Sequence, residues 1–163
     1  MTISIERIIK EADISPLYWG MNEDAITQIL PNSFQLIQEH RLENRPLLDV
    51  DNIEFYFEND FYIGLNQLII QAWRIKPNTS TQYFDLSWID NKLTYRKVKQ
   101  NLARLEWVYI ECPNGSNAPL ILVEGRAMFL FYDDESEISS YPLCKIVILQ
   151  PKDAQAVLDR ITQ

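Results

Sequence analysis

The chain of 163 residues is long enough for one domain with a sizeable core, since 47% of its residues are hydrophobic and 23% are charged. It carries 15 Lys and Arg residues against 23 Asp and Glu residues, which gives a formal net charge of -8 at pH 7. This charge repels phosphate backbones and anionic lipid surfaces, so the composition argues against nucleic acids and membranes as partners.

The sequence favours a cytoplasmic location. Charged residues interrupt the first ten positions, and no window reaches the roughly 18 consecutive apolar residues of a membrane span. Cys112 and Cys144 are the only two cysteines, and they lack the Cys-x-x-Cys spacing of metal or redox sites. We therefore predict a cytoplasmic protein with two buried, reduced thiols.

Two helices are predicted in the first 30 residues. The first ends near Pro16 and has apolar residues at helical spacing. Its buried stripe consists of Ile5, Ile8, Ile9 and Ala12. Asn22 caps the second helix by accepting hydrogen bonds from its free amides, and Pro31 ends it.

From Phe34 onward the apolar residues alternate with polar ones, which predicts β-strands. Asp51 and Asn52 tolerate positive φ, so the two strands that flank them are expected to form a hairpin. The predicted strands of the first half are 33–39, 46–50, 53–58, 66–73 and 82–89.

Alternation along two of these strands assigns their faces. If the phenylalanines at 53–58 and 82–89 face the core, Glu54 and Tyr56 of the first strand face the other way. Tyr83 and Asp85 of the second strand face outward for the same reason. The sequence thus predicts tyrosines beside carboxylates on an outer surface.

The second half follows a similar plan. Thr94 is the expected cap of a helix, and a final helix is expected from about Asp153. The predicted strands between these helices are 107–112, 119–123, 127–132 and 143–149.

A faint internal duplication relates the two halves. Residues 21–52 align without a gap on 94–125, and a one-residue insertion at Arg126 restores the match beyond the hairpin. The repeat pairs Ile37 with Ile110. We predict an α+β fold for a single domain, 1–163, with tandem helix-plus-antiparallel-meander repeats at about 18–90 and 91–150. The repeats share one sheet with helices on one face, between terminal helices.

The segment from Gly20 to Leu30, followed by Pro31 and a meander, resembles the opening of beta-lactamase-inhibitor-protein-like modules and of outer-membrane-assembly lipoprotein modules. The hairpin from Leu48 to Phe57 is similar to a stretch of small bacterial proteins, some of which look like toxin-immunity proteins. The resemblance implies an α+β fold that binds other proteins through a sheet face and its loops. It implies no catalytic residues.

Residues suited to catalysis or cofactor binding are scarce. His40 is the only histidine, and it lies in a polar stretch that favours a solvated loop over a catalytic triad. The two cysteines stand 32 positions apart without a nearby histidine, which argues against zinc. Four glycines in no phosphate-binding pattern argue against nucleotides. We predict no catalytic residue, metal or cofactor.

Acidic runs follow two equivalent strands, at 58–60 and 133–137, and we expect them to form one negative end of the molecule. Such an end attracts a basic partner protein, for example a nuclease. Outward tyrosines beside carboxylates have the composition of a protein interface. The predicted partner-binding residues are Glu54, Tyr56, Tyr83, Asp85, Asp133, Asp134 and Glu135.

The first hypothesis is a non-catalytic protein-binding module of the inhibitor or toxin-immunity type. The alternative is a structural or assembly subunit that forms a homodimer through a sheet face or edge, in which case the tyrosines belong to the rim of the core. A hydrolase with a carboxylate site is the third possibility.

Overall fold

A computed structural model describes residues 2–40, 47–58, 63–79, 81–112 and 118–161. Within these ranges the helices are α1 Ile5–Glu11, α2 Glu23–Ile29, α3 Ser33–His40, α4 Tyr95–Arg104 and α5 Pro151–Ile161. The strands are β1 Ile3–Ser4, β2 Leu47–Val50, β3 Ile53–Glu58, β4 Ile63–Ile70, β5 Phe84–Asp85, β6 Tyr109–Cys112, β7 Leu120–Val123, β8 Ala127–Phe131 and β9 Leu143–Leu149.

Seven of the strands form one antiparallel sheet in the order β2-β3-β4-β9-β8-β7-β6. The two remaining strands, β1 and β5, form a short parallel pair in which Ile3 lies opposite Phe84. The protein is therefore α+β, as the sequence predicts. Both three-stranded runs β2-β3-β4 and β7-β8-β9 are meanders, and the direct pairing of β4 with β9 joins them.

Side-chain caps begin the predicted helices. The Asn22 side chain accepts a hydrogen bond of 2.9 Å from the Ala25 amide at the start of α2. Thr94 accepts one of 3.3 Å from the Lys97 amide at the start of α4. Both caps confirm the sequence prediction, because a cap supplies an acceptor to amides that have no partner within the helix.

The hairpin of β2 and β3 also forms as predicted. Val50 lies opposite Ile53, and the two residues between them, Asp51 and Asn52, have φ values of 55° and 65°. In the second hairpin Val123 lies opposite Ala127, so the inserted residue Arg126 lengthens the turn to three residues. Positive φ in both turns matches the twist of the flanking strands.

The segment predicted as strand 33–39 is helix α3. Ser33 and Ile37 are buried one helical turn apart, and α3 packs against β2 and α2. Short apolar runs fit either period, and here the tertiary contacts decide for the helix. Ile37 is thus buried in a helix at 3% exposure, whereas Ile110 is 53% exposed on strand β6. Because these aligned positions have unrelated environments, the tandem repeat is not confirmed.

The predicted strand 82–89 is reduced to the two residues of β5. Ser87 has a φ of 54°, which turns the chain out of the extended conformation. Tyr83 and Phe84 are both buried, so the alternation of faces fails at this point. The expectation that Tyr83 faces outward is therefore wrong.

The main core fills the space between one face of the sheet and helices α1 to α4. Direct pairing aligns Phe55, Leu68, Ile148 and Ala127 in one row across four strands of that face. The opposite face is also largely buried. Among the described residues, seven buried apolar residues lie outside the main core. Ala12 follows α1, and the other six are Leu47, Ile69, Leu120, Leu122, Val147 and Ala154, the last on α5.

The two acidic strand ends do not meet. Three antiparallel pairings connect β3 to β8, so these two strands run in opposite directions. Glu58, which ends β3, and Asp133, which follows β8, consequently lie at opposite ends of the sheet. The predicted single negative end is wrong, and positions 59 and 60 lie outside the described residues.

Candidate functional site

Glu54 and Tyr56 do lie together, on the sheet face away from the main core. The Tyr56 hydroxyl donates a hydrogen bond of 2.5 Å to Glu54 Oε2, and the Gln71 side-chain amide donates to Glu54 Oε1. Arg74 Nη1 lies 3.1 Å from Asp49 Oδ2 and donates to Gln71 Oε1 at 2.8 Å. Two carboxylates therefore share one continuous polar network.

This network includes two residues that the sequence did not indicate. Gln71 and Arg74 stand 22 and 25 positions from Asp49, so no local spacing signals their contact. Arg74 also lies 5.6 Å from the ring centre of Trp73, which is 58% exposed. Because Asp49 and Glu54 already accept hydrogen bonds within this network, a structural role is favoured for these two carboxylates.

The other predicted partner-binding residues are scattered. The Tyr83 hydroxyl donates a hydrogen bond of 3.0 Å to the Pro31 carbonyl oxygen, and burial together with Asp51 raises the pKa of Tyr83. Asp85 is exposed and accepts a hydrogen bond of 3.0 Å from the Ser87 amide. It lines a cleft of about 600 Å³ that also contains Trp88.

Asp133, Asp134 and Glu135 form an exposed loop between β8 and β9. Asp133 accepts a hydrogen bond of 2.9 Å from the Glu135 amide, and bonding from Ser136 holds the pKa of Asp134 below its ordinary value. The same loop raises the pKa of Tyr141 through a hydrogen bond with Asp133. The predicted residues thus occupy separate places instead of forming one surface.

A groove that the sequence analysis missed lies between helix α4, strand β6 and the 3-10 turn Ile138–Ser140. Its volume is about 780 Å³. The α4 residues that line the groove are polar or basic near the start of the helix, and Ala103 lines it near the end. Ile138, from the 3-10 turn, is 46% exposed and also lines the groove. The groove is lined by Tyr95, Arg96, Lys99, Gln100, Ala103, Tyr109, Glu111, Ile138 and Ser139.

Tyr95, Lys99 and Glu111 hold one wall of this groove together. The Tyr95 hydroxyl donates a hydrogen bond of 2.6 Å to Glu111 Oε1, and Lys99 Nζ lies 3.2 Å from the same oxygen. Donation from Tyr95, and to a smaller extent Lys99, keeps the pKa of Glu111 below its ordinary value. Burial and the adjacent Glu111 raise the pKa of Tyr95, so this hydroxyl keeps its proton.

The two edges of the seven-stranded sheet differ. At one edge, α3 packs against β2, and Leu47, Leu48 and Val50 are almost fully buried. At the other edge, β6 exposes 53% of Ile110, and Val108 just before it is 67% exposed. In the described ranges no strand pairs with the outer side of β6. Exposed edges of this kind are templates for pairing with another chain.

Cys112 and Cys144 are free thiols and are partly buried, and burial raises the pKa of Cys112. Among the residues that the structure describes, no group of three or more His, Cys, Asp and Glu side chains is arranged to hold a metal ion. No helix in the described ranges combines the length and the apolar character that crossing a membrane requires.

We compared the chain with protein-family models, with curated proteins and with solved structures, and none of them matches. The resemblance to inhibitor-like and assembly-lipoprotein modules stays an expectation from the sequence. The candidate site therefore rests on the geometry of the groove and of edge strand β6.

Proposed function

We propose that this chain is a non-catalytic protein-binding module and that it engages its partner through edge strand β6 and the groove beside α4. An inhibitor or toxin-immunity role is one form of this proposal. The surface differs from the one that the sequence indicated, because Tyr83 is buried and the acidic loop lies apart from Glu54 and Tyr56.

One observation carries the proposal: Val108 and Ile110 are exposed side by side at one edge of the sheet, whereas the apolar side chains of the opposite edge strand are almost fully buried and α3 packs against that strand. Large apolar side chains next to free backbone groups favour association with another chain. A groove of about 780 Å³ adjoins the same strand and offers space for side chains of the partner.

A homodimer is the second candidate. The same edge allows β6 of one copy to pair with β6 of another, which joins two sheets into one. The basic residues of α4 oppose this arrangement, because two copies of a basic helix would then lie on the same side of the joined sheet.

A site-specific cross-linking experiment tests the proposed surface. A photo-activated cross-linking amino acid replaces Ile110 in one variant and Trp73 in a second variant, since both positions are more than half exposed. Trp73 borders the network of Glu54 and Gln71 and serves as the matched control on a different surface. Each variant is irradiated in extract from the native organism, and the products are identified by mass spectrometry.

We expect position 110 to give a discrete cross-linked product with another protein and position 73 to give none. Cross-linked products from position 73, with none from position 110, would indicate that the partner binds the outer sheet face instead. A product that consists only of two copies of this chain, linked at position 110, would favour the homodimer.

A further inference from the structure

The backbone of β6 offers hydrogen-bonding groups along its open edge. The Glu124 amide, just after β7, donates to the Val108 carbonyl oxygen, just before β6, at 2.8 Å, and this bonded pair fixes which residues of β6 bond toward β7. Bonded positions alternate along an antiparallel strand, so Ile110 and Cys112 bond toward β7. The N–H and C=O groups of Tyr109 and Glu111 therefore point to the open side.

The faces of β6 differ in chemistry. Tyr109 and Glu111 line the groove beside α4, whereas Val108 and Ile110 project from the opposite face. A strand added to this edge therefore places alternate side chains in the groove and the others against Val108 and Ile110.

Charge distinguishes the groove from the rest of the molecule. Helix α4 carries Arg96, Lys97, Lys99 and Arg104 and contains no acidic residue, although the whole chain has a net charge of -8. Glu111 engages Lys99 at the groove wall, but Arg96 is exposed and forms no ion pair within the described part of the chain. The groove lining thus contains two cationic side chains, Arg96 and Lys99, and one carboxylate, Glu111, in a protein with a net charge of -8.

We infer that β6 takes up an extended acidic segment of a partner protein as an additional strand. Acidic side chains of that segment enter the groove beside Arg96 and Lys99, and its apolar side chains pack against Val108 and Ile110. Backbone hydrogen bonds to Tyr109 and Glu111 supply affinity, and the alternating side chains supply specificity. This inference rests on the proposed function and specifies the partner.

Synthetic peptides test the inference directly. The probe is a fluorescein-labelled eight-residue peptide that alternates valine with glutamate, and fluorescence anisotropy measures its binding. A block peptide of the same composition has no alternation, and a valine-lysine peptide reverses the charge. A version with N-methyl groups on one edge of the backbone lacks the hydrogen bonds to β6. These changes leave the fold of the protein untouched.

We expect the alternating acidic peptide to bind, and each of the other peptides to bind at least about tenfold more weakly. Arg96→Glu should weaken binding by about fivefold or more, because it reverses a charge inside the groove. Arg104→Glu is the matched control on the same helix outside the groove lining, and it should change the affinity less than about twofold. In NMR spectra, the amides of Tyr109 and Glu111 should shift upon binding.

Several results would overturn the inference. Equal binding of alternating and block peptides excludes strand addition, and equal binding of the lysine peptide excludes recognition of acidic side chains. If the protein without peptide forms a concentration-dependent dimer in which the Tyr109 and Glu111 amides are protected from hydrogen exchange, a second copy of the chain occupies the edge. If no peptide binds but position 110 still cross-links to another protein, the inference about an acidic segment is wrong and the proposed function stands. Failure of both experiments also overturns the proposed function.

Discussion

The hydroxyl group of Tyr95 donates a hydrogen bond of 2.6 Å to the carboxylate of Glu111 and so ties helix α4 to edge strand β6. Tyr95 is almost fully buried, and its ring packs edge-on against the ring of Phe131, with 4.8 Å between the two ring centroids. The bond therefore joins the core to the exposed edge and fixes the wall of the groove.

Replacing Tyr95 with phenylalanine tests the strength of this link. The ring contact with Phe131 is retained in Tyr95→Phe, but the hydrogen bond to Glu111 is lost. We expect the free energy of unfolding to fall by about 1 kcal/mol, which is less than is usual for bonds to charged groups because Glu111 is exposed. Urea unfolding measures the change. Tyr132→Phe, at a position that is 63% exposed, should leave stability unaltered.

The same carboxylate makes stability depend on pH. The pKa of Glu111 is lowered in the folded protein, first by the bond from Tyr95 and then by Lys99. Its contribution is therefore complete above the ordinary pKa of 4.5 and is lost as the pH falls through the lowered value. The difference in unfolding free energy between the wild type and Glu111→Gln should thus shrink below pH 4.5. A difference that stays constant down to acidic pH would contradict this assignment.

Gly64 on β4 allows a close approach of two backbone segments. The Gly20 amide donates to Leu65 O, and the Leu65 amide donates to Met21 O, each at 2.8 Å. A Cβ at Gly64 would collide with the Gly20 carbonyl group, and Gly64 also has a φ of 101°.

Gly64→Ala should therefore cost at least about 2 kcal/mol more than Gly125→Ala. Gly125 is the matched control because its φ of 62° is also positive but open space surrounds it, so alanine there costs only about 1–2 kcal/mol. Chemical denaturation of both variants gives the comparison. Similar losses at the two positions would show that the segments do not approach each other closely.

The acidic loop is expected to set the ionisation of Tyr141. A hydrogen bond with Asp133 is the main reason that the pKa of Tyr141 is raised, and the charge of Asp134 is a smaller one. Asp133→Asn should therefore bring the pKa of Tyr141 closer to its ordinary value of 10.0, and Asp134→Asn should do so to a smaller extent. Titration of tyrosine ring carbons by NMR measures both effects. Equal shifts in the two variants would contradict the hydrogen bond.

The sequence-based prediction of a basic partner has its own test. Reversing the charges of Asp133, Asp134 and Glu135 to lysine should slow the association of a basic partner severalfold at low salt, because long-range attraction is lost. Stopped-flow measurements at low and high salt give the rates. An unchanged association rate would exclude steering by this loop.

Local signals explain the parts of the fold that could be predicted. Asp51 and Asn52 provide two consecutive residues that tolerate positive φ, and the flanking runs alternate cleanly, so the β2-β3 hairpin follows from the sequence alone. Asn22 and Thr94 likewise begin helices by a short-range hydrogen bond. Such features need no knowledge of the rest of the molecule.

Long-range contacts decide the parts that could not be predicted. The alternation around Ile37 suggests a strand, yet burial against β2 and α2 makes this segment helical. The candidate site joins Tyr95 and Glu111, 16 positions apart, with Ile138 from a later turn. Their spacing follows no motif, because the order of strands in the sheet brings them together. The basic character of α4 was the one local sign of this surface.

Strand β9 is the last of the described strands along the chain, and it is also the middle strand of the seven. The two groups of strands on either side of it have no direct pairing with each other. During synthesis on the ribosome, both groups emerge before the strand that unites them. The nascent chain therefore exposes two unpaired inner edges until residue 149 has left the ribosomal exit tunnel, and chaperone binding to these edges should end at that point.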